Sequence, residues 1–154
     1  MDTLRFLTLC LCIFVPFVYG QVQPSKPTAE PVSQVCLGCI CEASSNCNTT
    51  LKCDGEVCGP FRITRAYWID SGKPTFNNES PSTGEAFANC VNDVFCAAQA
   101  VQGYMAKYGQ DCNGDGKIDC DDYARIHRHG GFGCFAPLDP AYETPYKQCT
   151  ATFG

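Results

Sequence analysis

An acidic stretch at residues 111–122, DCNGDGKIDCDD, has the residue types and the spacing of a calcium-binding loop of the EF-hand or dockerin kind. Oxygen-bearing side chains recur where such loops place their ligands, and a glycine supplies the sharp turn at the sixth position. The seventh position offers its carbonyl oxygen. The stretch therefore predicts a structural calcium site, with the ligand residues Asp111, Asn113, Asp115, Lys117, Asp119 and Asp122.

Two features of the same stretch favour a metal-free turn. The twelfth position holds the shorter Asp122, where a calcium loop of this kind usually has glutamate. Cys112 and Cys120 are also available for disulfides that would fix the loop without a metal ion. A calcium site and a solvated acidic turn are thus the two alternatives for this loop.

The cysteines form a second chemically distinct group. Of the 14 cysteines, Cys10 and Cys12 lie in a segment that we expect to be removed, and the remaining even number predicts six disulfides. The C-x-x-C-x-C spacing that starts at Cys36 also suits zinc, but a secretion signal favours pairing in an oxidising compartment. The predicted disulfide cysteines are Cys36, Cys39, Cys41, Cys47, Cys53, Cys58, Cys90, Cys96, Cys112, Cys120, Cys134 and Cys149.

The N-terminal residues predict export. Arg5, an apolar run over residues 6–18 and the small Gly20 are typical of a secretory signal peptide over residues 1–20, which is too short for a retained membrane anchor. Residues 21–35 contain three prolines and few apolar side chains, which predicts a flexible lead-in. We therefore expect a secreted, extracellular protein with no transmembrane anchor, whose folded domain covers residues 36–154.

The charge of the chain excludes some partners. The formal net charge is -5 at pH 7. This acidic balance argues against nucleic acid as a partner, and against the cationic, membrane-disrupting route of some antibacterial proteins.

The sequence pattern predicts a mostly helical α+β fold. In the first half of the chain, we expect a short helix over residues 36–42 and a short half-buried strand over residues 61–64. Residues 82–85, Ser-Thr-Gly-Glu, read as a capping box that starts a further helix.

Helical periodicity is clearest in the second half. Apolar residues over 94–108 recur at steps of three and four and are followed by Gly109, which predicts one longer helix. Another helix is expected over residues 119–127. The proline-rich tail that follows should be held by disulfides through Cys134 and Cys149. We expect one small domain, stabilised largely by its disulfides.

Four motifs in order resemble the invertebrate-type (i-type) lysozymes, a family that includes the destabilases. The chain has C-I-C at residues 39–41, a cysteine at Cys47, C-G-P-F-R-I at residues 58–63 and Y-W-I-D-S-G at residues 67–72. The family's pattern is approximately C-I-C-x-x-E-S-x-C, a loop bearing an aspartate, C-G-x-F-Q-I and Y-W-x-D-C-G. The resemblance covers nearly all of residues 36–149 and implies a disulfide-rich lysozyme-like domain.

The resemblance implies hydrolysis of the β-1,4 bonds between N-acetylmuramic acid and N-acetylglucosamine in bacterial peptidoglycan, with no cofactor for catalysis. The family's general acid is a glutamate, and its position is held by Ser44. The family's second carboxylate lies in the loop before C-G-x-F, where Asp54 and Glu56 are the candidates. Because a hydroxyl does not give up a proton near neutral pH, we expect hydrolysis to be weak or lost.

Aromatic and glycosylation candidates complete the predicted site residues. Tyr67 and Trp68 have rings suited to stacking on sugars, and burial in the core is the alternative interpretation. Asn48 and Asn78 begin N-glycosylation sequons, which a secreted protein can use.

Three functions are compatible with this pattern. The first is a lysozyme acting on bacterial cell-wall glycan in antibacterial defence or digestion. The second is a protein that binds glycan or a cell surface without cleaving it. The third is the isopeptidase activity attributed to destabilases, which the resemblance places on a serine and a lysine. Those two positions hold Val57 and Thr64, so only His127 matches.

Overall fold

The computed structural model describes residues 30–154, which form six α-helices and one two-stranded antiparallel hairpin. The mostly helical, disulfide-rich fold class predicted from the sequence is confirmed. The helices are α1 (Gln34–Ser45), α2 (Arg65–Asp70), α3 (Ala86–Val91), α4 (Val94–Tyr108), α5 (Cys120–His129) and α6 (Pro140–Phe153). The strands are β1 (Val57–Cys58) and β2 (Ile63–Thr64), and a 3-10 turn covers Phe76–Asn78.

Helix α1 is the element to which three of the six disulfides are attached. The Ser33 hydroxyl caps its N terminus by accepting a hydrogen bond from the Cys36 N–H at 3.2 Å. Asn46 ends it in the left-handed conformation, with φ 53°. These two caps make α1 longer than the helix predicted over residues 36–42. Its buried face packs mainly against α6.

Six disulfides form, as the even number of cysteines predicted. Three of them start in α1 and join it to α5, to α6 and to the turn that follows α1. The bridges that close the longest loops therefore hold the N-terminal and C-terminal helices together. The pairs are Cys36–Cys120, Cys39–Cys149, Cys41–Cys47, Cys53–Cys58, Cys90–Cys96 and Cys112–Cys134.

We predict that the mature protein contains no free thiol. All twelve cysteines after residue 30 are paired in the structure, so none is left to react with an alkylating reagent. The measurement is mass spectrometry of the protein alkylated under denaturing conditions, with a fully reduced sample as the positive control. Two or more labelled cysteines in the unreduced sample would contradict the six pairs.

The folded domain begins before Cys36. Val32 is 1% exposed, and its backbone is held by the buried Gln102 of α4. The Val32 N–H donates to Gln102 Oε1 at 2.9 Å, and Gln102 Nε2 donates to the Val32 carbonyl at 2.6 Å. The end of the lead-in predicted over residues 21–35 is thus part of the fold. The predicted signal peptide and residues 21–29 lie outside the described residues.

A short helix follows residues 82–85 as predicted, but these residues do not form its capping box. A capping box at residues 82–85 would place the helix start near Thr83, but the helix begins at Ala86 and its N-cap Glu85 makes no side-chain capping bond. The reason is local: the Thr83 hydroxyl donates to the Ser80 carbonyl at 3.1 Å and to Glu79 Oε2 at 3.4 Å instead. Residues 80–85 therefore form turns.

Helices α4 and α5 match the sequence prediction, whereas α6 was not predicted. Three prolines in the tail argued against a helix there. The structure accommodates two of them, because Asp139 caps the helix, Pro140 occupies its first turn and Pro145 lies inside it. Burial of Tyr142 and Tyr146 against the core and the bond from Cys149 to α1 outweigh the hydrogen bond that Pro145 removes.

The hairpin presents Arg62 in a fixed conformation. Strand β1 pairs with β2 so that Val57 faces Thr64 and Cys58 faces Ile63. The turn between them requires Gly59, which has φ 70° and whose added Cβ would overlap the Val91 carbonyl. Arg62 also has a positive φ, 55°, although it is not a glycine.

Candidate functional site

Ser44, which the resemblance predicts to stand at the family's acid position, lines a cavity of about 320 Å³. Four elements build this cavity: the last turn of α1, the hairpin, the end of α5 and the start of α6. Their chain order shows why the site cannot be read from one sequence motif, since the contributing residues are spread over nearly 100 positions. The lining residues are Ser44, Val57, Phe61, Arg62, His127, Arg128 and Tyr142.

The Ser44 side chain is bonded to its own helix. Its hydroxyl donates to the Ile40 carbonyl at 2.7 Å, four residues earlier, as serines inside helices often do. It also lies near the Tyr142 hydroxyl: burial raises the pKa of Tyr142, and the nearby Ser44 side chain offsets part of that rise, although no hydrogen bond forms between the two. Nothing in this arrangement gives Ser44 the function of a general acid.

The structure does not bring the predicted second carboxylates to Ser44. The Asp54 side chain is 89% exposed, and its Oδ2 lies 3.8 Å from Arg62 Nη2. Glu56 is exposed and lines a different depression, with Thr64, Arg65 and Phe87. Among the described residues, no aspartate or glutamate lines the cavity.

Two arginines replace carboxylates as the charged groups of the cavity. Arg62 comes from the hairpin and Arg128 from α5. Arg128 Nε donates to Asp139 Oδ2 at 2.7 Å, and its guanidinium lies 5.4 Å from the centre of the Tyr142 ring. Sequence analysis missed these residues. The one available signal was that Arg62 stands where the C-G-x-F-Q-I pattern has glutamine.

His127 lies in the cavity wall, and both of its ring nitrogens are hydrogen-bonded. Nε2 is 2.9 Å from the Phe61 carbonyl, which can only accept, so Nε2 carries the proton. Nδ1 must then accept from the Tyr67 hydroxyl at 3.1 Å. Burial lowers the pKa of His127 to about 4, which keeps the ring neutral. These bonds give His127 a structural role and leave it no lone pair for an isopeptidase.

We predict that acid destabilises the protein through His127. Its folded pKa of about 4 lies below the ordinary value of 6.5, so the unfolded chain binds the proton more tightly. Stability from the neutral ring is fully present above pH 6.5 and falls as the pH drops towards 4. The loss should be on the order of 3 kcal/mol, from 1.36 kcal/mol per pKa unit. Chemical unfolding between pH 7 and 4 measures it.

His127→Gln is the matched variant for this measurement, since glutamine keeps a donor and an acceptor but does not titrate. Carboxylates titrate in both proteins, so only the difference between the two pH profiles reports on His127. We expect the variant to be less stable at neutral pH and to lose less on acidification. Parallel profiles would show that the proton is not taken up at His127.

The two aromatic candidates are packed against other rings. Trp68 is 2% exposed, its Nε1–H donates to the Pro74 carbonyl at 2.8 Å, and its ring packs against Phe87. Trp68 is therefore a core residue, and neither face is open to a sugar. One face of the half-buried Tyr67 is covered by Tyr104, with ring centres 3.7 Å apart. For Trp68 and Tyr67, the structure therefore supports burial against other rings, the alternative to stacking on sugars.

The acidic loop is closed by its own hydrogen bonds. Asp111 accepts from the Gly114 and Gly116 N–H groups at 2.7 and 2.9 Å. These bonds lower the pKa of Asp111. Asp122, predicted to be the last calcium ligand, is fully buried and turned towards the backbone of the loop. Its carboxylate accepts from the N–H groups of Cys112, Asn113 and Asp119.

This arrangement favours the metal-free alternative, and the calcium site stays a prediction. Asp122 cannot turn towards an ion without leaving three N–H donors unpaired. Cys112 and Cys120 are both in disulfides, so the metal-free alternative has the anchors it requires. Within residues 30–154, no group of three or more His, Cys, Asp or Glu side chains is placed to hold a metal ion.

The glycosylation candidates both lie on the surface. Asn48 Oδ1 accepts from the Thr50 N–H at 3.0 Å and from the Thr50 hydroxyl at 2.7 Å. Asn78 is exposed and has φ 57°. Surface exposure permits modification at either position, and glycosylation of Asn48 and Asn78 stays a prediction.

The small helical domain with six disulfides has the lysozyme-like fold class that the resemblance implies. The family model described as Destabilase matches residues 33–149. The chain therefore belongs to the destabilase family, and its relatives are i-type lysozymes. None of the helices in the described part of the chain is long and apolar enough to cross a membrane.

Individual relatives agree with this assignment. The chain is 39% identical over 109 residues to "Lysozyme 1" of Crassostrea virginica, which covers 67% of this chain and 52% of that protein. It is 34% identical to "Invertebrate-type lysozyme 3" of Caenorhabditis elegans, over 74% of this chain and 84% of that one. Among solved structures, Tapes japonica lysozyme matches with a TM-score of 0.55 and 31% identity, over 80% of this chain and 92% of that chain.

Proposed function

We propose that the protein is a secreted, lysozyme-like protein that binds bacterial peptidoglycan at the Ser44 cavity and hydrolyses it weakly or not at all. Its relatives carry the name lysozyme, which supports cell-wall glycan as the ligand class. The alignment covers about half the length of the Crassostrea virginica relative, so activity and ligand are proposals for this chain. Six disulfides favour an oxidising, extracellular location.

The single observation that carries the proposal is the composition of the cavity. Hydrolysis of a β-1,4 glycosidic bond needs one carboxyl to protonate the leaving oxygen and a second carboxylate about 5 Å away to stabilise or trap the sugar cation. The cavity instead holds the Ser44 hydroxyl and two arginines, with both candidate carboxylates outside it. The site keeps a recess and polar groups for glycan, but no proton donor of the required strength.

The proposed biological role is defence against bacteria or digestion of them. Binding to cell-wall glycan without turnover is sufficient for either role when another agent performs the lysis. No cofactor enters this proposal, because binding and any residual hydrolysis would rest on side chains alone.

Binding can be tested by sedimentation with insoluble peptidoglycan. We predict that the unmodified protein co-sediments with the polymer and that Ser44→Phe, which fills the cavity, lowers the bound fraction about tenfold, equivalent to roughly 1.4 kcal/mol. Ser82→Phe is the control, because Ser82 is exposed and lies outside the cavity. Melting curves of both variants confirm that they are folded.

Two outcomes would overturn the proposal. Absence of co-sedimentation would show that the protein does not bind peptidoglycan. Equal binding by both variants would show that glycan attaches to another surface.

A further inference from the structure

Two departures from the family's sequence pattern meet in the Ser44 cavity. The pattern has glutamate where this chain has Ser44, and glutamine where it has Arg62. The two positions are 18 residues apart in sequence, yet both line one recess of about 320 Å³. Both departures move the charge in the same direction: one negative charge is lost and one positive charge is gained.

The backbone of Arg62 has a fixed conformation, and its positive charge is available to a ligand. Its backbone is fixed at φ 55°, an uncommon conformation for a residue with a Cβ that is often retained at binding sites. Its side chain is 31% exposed, so it is partly withdrawn from water. Its nearest carboxylate is the 89% exposed Asp54 at 3.8 Å, and so open a pair contributes little and is screened by salt.

Arg128 supplies a second positive charge that is already oriented. The Asp139 carboxylate binds Arg128 Nε, and the Tyr142 ring lies beside the guanidinium. Among the described residues, Arg128 donates a hydrogen bond only from Nε, to Asp139, and none from its terminal nitrogens. These donors remain for a ligand in the cavity.

Tyr142 lines the recess, and its hydroxyl is a buried donor without a hydrogen-bond partner among the described residues. The residue as a whole is 3% exposed. Burial raises the pKa of Tyr142, so the hydroxyl keeps its proton at neutral pH. A buried hydroxyl without a partner costs free energy, and a ligand oxygen would remove that cost.

We infer that this cavity binds a carboxylate of the glycan, with Arg62, Arg128 and the Tyr142 hydroxyl as the donors. Guanidinium groups and a hydroxyl are hydrogen-bond donors, and the positive charge of the two guanidinium groups suits a carboxylate. The inference rests on the proposed function and narrows it: the preferred ligand is an acidic, muramic-acid-type glycan rather than a neutral polymer of N-acetylglucosamine. The site of the family's acid has become a site for an anion.

Soluble disaccharides separate the charge of the ligand from its sugar rings. The neutral probe is N,N′-diacetylchitobiose. The first acidic probe is N-acetylglucosaminyl-N-acetylmuramic acid, whose carboxylate is on the lactyl group. The second acidic probe is the same disaccharide with L-Ala-D-Glu attached, where the lactyl carboxyl is in an amide and the free carboxylates are on the peptide. Titration calorimetry with the full mature protein gives the three affinities.

We expect at least one acidic disaccharide to bind roughly tenfold to hundredfold more tightly than chitobiose, since hydrogen bonds to charged groups contribute about that much. The tighter of the two acidic probes identifies the source of the carboxylate. Added salt should reduce the advantage of the acidic probe and leave chitobiose binding nearly unchanged.

Variants test the assigned donors. Arg62→Gln restores the family's residue and should bring the affinity for the acidic probe close to that for chitobiose. Arg65→Gln is the matched control, since Arg65 is an exposed arginine of the same segment that lines a different depression. Tyr142→Phe should weaken acidic binding while the melting temperature stays equal or rises, because it removes a buried hydroxyl without a partner. If the hydroxyl had only a structural role, Tyr142→Phe would not weaken acidic binding while leaving the melting temperature equal or higher.

The outcomes distinguish the inference from the proposed function. Equal affinity for neutral and acidic probes, with no effect of Arg62→Gln, would overturn the carboxylate site and leave glycan binding intact. Binding of no probe and no peptidoglycan would overturn both. Equal losses in Arg62→Gln and Arg65→Gln would show a general effect of positive charge rather than a site in the cavity.

Discussion

Suspensions of bacterial cell walls should clear about 10²- to 10⁴-fold more slowly with this protein than with an i-type lysozyme that carries the acid glutamate, since general acid assistance contributes a factor of that size. This factor corresponds to roughly 3 to 5 kcal/mol of activation free energy. The reason is the cavity itself, where the Ser44 hydroxyl donates to the Ile40 carbonyl and no described carboxylate faces the recess. Turbidity of the suspension over time is the measurement.

Restoring the glutamate alone should not restore the rate. In Ser44→Glu the new carboxyl would lie in a cavity with Arg62 and Arg128, and neighbouring positive charges lower the pKa of a carboxyl group. An acid that is ionised at neutral pH cannot protonate the leaving oxygen. Ser44→Glu combined with Arg62→Gln removes one of these charges and should be the more active variant, still without a second carboxylate in the recess.

Carboxylate substitutions identify the outcome that would contradict this prediction. If the unmodified protein clears walls as fast as an ordinary lysozyme, and Glu56→Gln or Asp54→Asn stops it, then the exposed loop closes over the cavity and supplies the catalytic carboxyl. Asp93→Asn is a suitable control, because Asp93 caps α4 and lies outside the cavity. Any loss of rate in that variant would report on stability.

The parts of the fold that were predicted correctly depend on local signals. Helix α4 has a continuous apolar face and a glycine at its end, and α5 begins at Cys120, directly after its N-cap Asp119. The even number of cysteines was enough to expect six disulfides, but their pairing depends on which helices meet. Helix α6 was not predicted, because Pro140 and Pro145 disfavour a helix when only the local sequence is considered. Its stability comes from contacts with α1.

In the candidate site, too, local sequence motifs predicted some residues, whereas others depend on how the helices pack. The motif around Ser44 identified the end of α1 as the place of the missing acid, and the structure adds what surrounds it. Arg128 and Tyr142 could not be assigned to this cavity from sequence, since each lies in a helix whose packing brings it there. The spacing of acidic residues predicted a calcium loop, but spacing does not reveal whether a carboxylate points outwards to an ion or inwards to the backbone.

Asp122→Ala is expected to lower the free energy of unfolding by about 3 kcal/mol or more, because each buried donor left unpaired costs roughly 1 to 3 kcal/mol. The Asp122 carboxylate is 0% exposed and accepts from three backbone N–H groups, those of Cys112, Asn113 and Asp119, at 2.8, 3.3 and 2.9 Å. Alanine removes all three acceptor contacts at once. One of the three, the bond from the Asp119 N–H, is also the reciprocal bond of the capping box that starts α5.

Asp115→Ala is the matched control for this effect, and it also decides between the two interpretations of the acidic loop. Asp115 is exposed, and its carboxylate accepts from Lys117 N–H and from Asn113 Nδ2 at the surface, so its removal should cost less than about 1 kcal/mol. Unfolding by denaturant, with the disulfides intact, measures both variants with calcium and with a chelator. If Asp122 closes the loop, the free energy of unfolding falls strongly in Asp122→Ala and only slightly in Asp115→Ala, both with calcium and with the chelator. If calcium instead stabilises the unmodified protein and both substitutions abolish that gain, then Asp122 turns outwards to bind the ion and its inward hydrogen bonds do not define the native loop.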